Sequence, residues 1–152
     1  MADPINFTSS SARFALPYLF AGQAQKEFYV NEAHARTDML LHPAIEGERD
    51  DPPQAPADGE MWLVGMAPSG EWIGHQNQIA CFQTGNWIFA IPTDGFYLFD
   101  KSKGQVRLHA GEWRSASSVT APSDGDVVDN EARTAIDGLI AALLDAGILA
   151  QN

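Results

Sequence analysis

Two spacings of apolar residues divide the chain. From about Gln23 to Leu41, Val30, Ala33, Thr37 and Leu40 recur at steps of three and four, with Phe28, Ala35 and Met39 on a neighbouring seam. That is the period of an amphipathic helix. Good helix formers fill the stretch, Gly22 precedes it and Pro43 stands just beyond its end, so a helix of about 28 Å is predicted.

After Gly59 the pattern changes to short aromatic and β-branched runs punctuated by Gly, Pro and Asn: EMWLVG, EWIG, IACFQ, NWIFAIP, FYLFD, QVRLH and EWRS. Short runs at regular intervals predict an antiparallel β module of about six strands. DKSKG (100–104) reads as a hairpin turn with Gly104 at a positive φ, and GNW (85–87) marks a second turn. A sheet this small is marginal alone and is expected to pack on the first helix or on a neighbouring subunit.

The last zone, DNEARTAIDGLIAALLDAGILAQN, is the clearest helix in the chain. Asp129 or Asn130 can cap it, Glu131 suits the positive end of its dipole, and Gly147 stands where a left-handed C-terminal residue belongs. Ala132, Ile136, Leu139, Leu143 and Ala146 alternate steps of four and three, and Ile140 and Leu144 widen that face. The seam is broader than a surface helix needs and is expected to serve self-association or docking. Packing back on the chain's own sheet is the plain alternative.

The fold class read from these patterns is α+β: a long N-terminal helix, a small antiparallel β module of about six short strands and a C-terminal amphipathic helix. The boundaries are an N-terminal docking arm (1–21), the helix (22–45), an acidic Pro-rich connector (46–59), the β module (60–115), a linker (116–128) and an assembly helix (129–152).

Charge adds a constraint. The chain has 152 residues, 45% of them apolar, and a formal charge of -11. It can therefore build a core, and it repels phosphate backbones and anionic membrane surfaces. No nucleic-acid ligand and no membrane insertion are expected. Six acids crowd residues 46–60 and six more residues 124–145, whereas 61–115 balances four acids against four bases. The single cysteine, Cys81, excludes an intramolecular disulfide, and its IACF setting reads as a buried thiol. ARFALPYLF makes a poor signal peptide, so synthesis in the cytoplasm without a secretion signal is expected.

Candidate chemistry is sparse. On the first helix Gln23, Glu27, Asn31, His34 and Asp38 share a polar stripe, but Glu27 and His34 lie two turns, about 10.5 Å, apart. That is too far for one metal, so a hydrated or intersubunit face is expected. Nucleotide, dinucleotide, hydrolase-elbow and zincin motifs are missing, and no cofactor, metal or catalytic residue is expected. A hydrolase using Glu71 or Asp94 as its acid would lack the second carboxylate.

The four tryptophans each follow a glycine by two or three residues (GEMW, GEW, GNW, GEW), which hints at repeated turn-then-strand units. Aromatic rings on a small sheet can stack on sugar faces. Trp72, Trp87 and Trp113 are the candidates, with Glu71, His75, Asn77, Gln78 and Asn86 as polar neighbours. The plainer reading is that all four tryptophans fill the core of the small sheet, where their area counts most.

The run LPYLFAGQAQKEFYVNEAHARTDMLLHPAIEG, followed by PADGEMWLVG, GEWIGHQNQIACF, GNWIFAIPTDGFYLFD, GEW and the terminal TAIDGLIAALLDAGILA, resembles an uncharacterised domain family of alphaproteobacterial prophages and gene-transfer-agent clusters. The resemblance covers residues 14 to 150. It implies a non-enzymatic structural protein of a phage-like particle, similar to a head spike base, assembled in the bacterial cytoplasm and carried on the particle surface. It implies no catalytic residues.

On this reading the C-terminal seam (Ala132, Ile136, Leu139, Ile140, Leu143, Leu144) joins copies into a homo-oligomer or grips a spike or fibre protein. Phe7, Phe14, Leu16, Tyr18 and Phe20 of the arm meet a capsid or tail protein. The alternatives are a tail-fibre adaptor and a carbohydrate-binding module contacting host surface polysaccharide through exposed tryptophans.

Overall fold

The computed structural model describes residues 26–83, 85–123 and 128–150. In chain order these form helix α1 (Lys26–Leu40), β1 (Ala44–Ile45), β2 (Glu48–Arg49), β3 (Met61–Val64), β4 (Ile79–Gln83), β5 (Asn86–Ala90), β6 (Tyr97–Asp100), β7 (Gln105–His109), β8 (Trp113–Arg114) and helix α2 (Asn130–Asp145). The strands make two four-stranded sheets, in the orders β2-β3-β4-β5 and β1-β6-β7-β8.

Two expectations are corrected here. The long N-terminal helix is a short one of 15 residues; Gln23, and the side chains of Glu27, Phe28 and Asn31, lie outside the described residues. Its C-terminal end is closed by His42, which takes a left-handed φ of 49° ahead of Pro43, a combination that stops a helix. The single antiparallel module of about six strands is instead eight strands in two mixed sheets. The added strands, β1 and β2, are two residues each and pair in parallel with β6 and β3. Two residues carry no readable period, and β2 lies among the acids and prolines that looked like connector. The run EWIG is a 3-10 turn over Gly70–Trp72, because Gly70 and Gly74 both adopt positive φ and break the extended chain.

The two sheets are copies of one design. PADG precedes β3 and PTDG precedes β6, and in both turns the glycine is left-handed, with φ 84° at Gly59 and 86° at Gly95. Gly59 N donates to Phe82 O and Gly95 N to His109 O, each at 2.8 Å. Phe82 stands opposite Trp87 and His109 opposite Trp113, and each tryptophan follows a left-handed glycine, Gly85 or Gly111. Ahead of both units, residues 44–49 lend one short parallel strand to each sheet. Leu63 N donates to Gly47 O at 3.0 Å, and Phe99 N to Pro43 O at 2.9 Å.

The sheets stack face to face. Met61, Leu63, Ile79 and Cys81 of the first meet Ile45, Phe96 and Leu98 of the second, with Met39 of α1 closing one side. The other face of the first sheet is sealed by Trp72, which is fully buried with Val64 and Ala80 against Trp62, Trp87 and Phe89. Burying Trp72 contributes on the order of 3 kcal/mol.

Candidate functional site

Helix α2 begins at Asp129, whose side chain accepts a hydrogen bond from Ala132 N at 2.9 Å. It ends where Gly147 turns left-handed at φ 66°, with Gly147 N donating to Leu144 O and Ile148 N to Leu143 O. Both ends therefore match what the sequence predicts. The next residues tie the helix down: Val106 N of β7 donates to Gly147 O at 2.6 Å, and Leu149 is buried.

A Cβ on Gly147 would meet the Phe99 ring at 3.4 Å and Gly104 O at 3.6 Å. Glycine here serves both the backbone turn and the close approach. The helix proper, in contrast, has no buried residue. Ala132, Ile136, Leu139 and Leu143 are exposed, Leu139 at 64%, while Ile140 and Leu144 are partly covered. The helix thus presents an exposed apolar stripe of the kind that marks interaction surfaces.

The remaining candidates fall elsewhere. Trp72 has no face open to a ligand; its ring meets Trp87 edge-on with centroids 5.0 Å apart. Trp87 is half-buried and also meets Phe82. Trp113 is half-buried too; its Nε1 donates to Asn77 O at 3.1 Å and its ring contacts Phe96 and His109. Trp62 donates to Glu60 Oε1 at 2.7 Å and lies under the Arg49 guanidinium. Each tryptophan thus has partners within the chain. His75 stacks on Phe89 at 3.6 Å and contacts Gln78, whereas Glu71, Asn77 and Asn86 are exposed.

On α1, His34 and Asp38 both face solvent, Glu32 and Arg36 pair at 3.1 Å, and no metal-holding cluster exists among the described residues. Asp94 serves its turn, accepting from Gly111 N at 2.7 Å beside His109. Cys81 is buried; loss of solvent, then the charges of Asp38 and Asp58, push its pKa up to about 11. Phe7, Phe14, Leu16, Tyr18 and Phe20 lie outside the described residues.

Two features escaped the sequence reading. One is a buried polar group on the inner face of the second sheet, Asp100, Gln105 and Arg107. The other is that sheet's outer face, where Tyr97, Phe99, Val106 and Leu108 point away from the core. The alternation Tyr97-Leu98-Phe99-Asp100 offers apolar residues on both faces, and only the buried acid reveals which face turned inward.

The family model described as Protein of unknown function (DUF2793) matches residues 30–114, from α1 through β8. This chain belongs to the DUF2793 family. The match covers both β units, so the duplicated pair of sheets is the body of the DUF2793 domain here, and α2 follows the matched region. No curated protein matches the chain. No helix among the described residues is long and apolar enough to cross a membrane.

Proposed function

We propose that this DUF2793 protein is a non-enzymatic structural component of a phage-like particle, a base or adaptor joining a spike or fibre to the capsid or tail. The observation that carries the reading is α2: a capped helix with a two-heptad apolar seam and no buried residue, fixed to the body through Gly147 and Leu149. Such a helix suits a protein whose apolar surface is covered on assembly, where multivalent contacts hold firmly.

The resemblance of the sequence to prophage and gene-transfer-agent structural proteins supplies the setting. The acidic charge agrees with a partner that is protein and not nucleic acid. A glycan platform finds less support, because every tryptophan ring is engaged within the chain.

Mass spectrometry of purified particles from the source cells tests the reading. The protein is expected at a fixed stoichiometry to the major capsid protein and lost when the particle genes are deleted. Its absence from particles, with retention in the soluble fraction, refutes the proposal.

A further inference from the structure

The duplication assigns a meaning to the partly covered face of the second sheet. Tyr97, Phe99, Val106 and Leu108 hold the positions that Met61, Leu63, Ile79 and Cys81 hold in the first sheet, by the matching registers of the two units. In the first sheet those positions are core, covered by the second sheet. In the second sheet no sheet among the described residues takes that place: Gly147 meets one edge of the face at Phe99, while Tyr97 stays 59% exposed and Phe99 38%.

We propose that this face is covered by α2 of a second copy of the chain, in a reciprocal exchange. The inference rests on the self-assembly part of the proposed function and not on the particle.

Three observations choose this occupant. First, the chain carries both halves of the contact: an apolar sheet face only partly covered, and a helix with no buried residue on which Ile136, Leu139 and Leu143 stand exposed. Helix on sheet is a standard way to bury both. Second, the charges agree. Helix α2 carries Glu131, Asp137 and Asp145 against Arg133, so pairing α2 with α2 sets like charges together. The sheet face carries Arg114, in register with Leu108 and ion-paired with Glu112, and the adjoining turn carries Lys103 beside Lys101, which pairs with Glu46.

Third, area decides. A 16-residue helix offers a strip about 24 Å by 10 Å, so two reciprocal contacts bury about 1,000 Å², the threshold of a specific interface. Sheet face against sheet face covers only about 500 Å² at ordinary strand spacing. The anchor at Gly147, against Phe99, makes the donated helix and the accepting face continuous.

Disulfide trapping tests this, since the only native cysteine, Cys81, is buried. Tyr97→Cys protein and Leu139→Cys protein are mixed and mildly oxidised. The mixture is expected to give a covalent dimer at least tenfold above either variant alone. Val106→Cys mixed with Leu143→Cys repeats the test should the first pair fold poorly by circular dichroism.

A covalent dimer from Leu139→Cys alone overturns the proposal in favour of helix–helix pairing and leaves self-assembly intact. No trapping from either pair, while sedimentation of the native protein shows self-association, also overturns it. Sedimentation as a monomer up to millimolar concentration removes both the exchange and the self-assembly it rests on.

Discussion

Arg107 of β7 reaches across the space between the sheets to Glu48 of β2, Nη1 to Oε2 at 2.9 Å, and stands 3.5 Å from the fully buried Asp100 on its own sheet. One guanidinium therefore answers an acid on each sheet. Asp100 accepts further bonds from Ser102 N and Oγ, so its charge is held from both sides.

Arg107→Ala is expected to destabilise the protein by about 3 kcal/mol, because it leaves the Asp100 carboxylate buried without its cation. Urea denaturation followed by tryptophan fluorescence measures this. Adding Asp100→Ala to that variant is expected to restore part of the loss, a coupling between neighbours that separate single substitutions cannot give.

The duplicated turns give a paired prediction. Gly59 and Gly95 share a left-handed φ, and an added Cβ meets nothing within 4 Å at either. Gly59→Ala and Gly95→Ala should therefore cost similar amounts, about 1–2 kcal/mol each, from backbone conformation alone. Clearly unequal shifts of the urea midpoint would show that the two units are not energetically alike.

Asp129→Ala removes the cap of α2 and is expected to cost about 1 kcal/mol of local helix stability. Since α2 buries no residue, the loss should appear as faster amide exchange over 130–140 in the dilute protein, with the fluorescence transition of the body unmoved. A global shift of that transition would mean that α2 is integral to the core.

Cys81 sets an alkaline limit. Its thiol titrates near 9 when unfolded and near 11 when folded, so between those values the unfolded chain has lost the proton that the folded chain keeps. Stability falls there as pH rises, by at most about 1.4 kcal/mol per pH unit, and well below pH 9, where both states keep the proton, the thiol adds no slope. Comparing denaturation of the parent with Cys81→Ala from pH 8 to 10.5 isolates the slope, which the variant should lack.

Much of the fold was legible from side chains alone. IACFQ and QVRLH coincide with β4 and β7 to the residue, and the turns at Gly85 and Gly104 fall where predicted. What failed was long-range. Nothing local in Ala44–Ile45 or Glu48–Arg49 announces parallel pairing with strands that follow many residues later, since parallel pairing leaves its record in the partner. The glycine-tryptophan recurrence pointed to repeated units, and three of its four instances belong to them; GEW at 70–72 is the exception, a lid of 3-10 turn. The α2 cap and seam were readable because they are local. The sheet face beside it was not, because alternation alone does not say which side turns inward.

The short segment 44–49 has a consequence for how the molecule assembles itself from the extended chain. The meanders β3-β4-β5 and β6-β7-β8 close through near neighbours and can form early and independently. Each lacks its edge until one six-residue stretch docks in both, and β1 must wait for β6, made more than fifty residues downstream. The pairings of that one ribbon with both units therefore raise the share of long-range contacts, and its closure is expected to slow folding relative to the meanders alone.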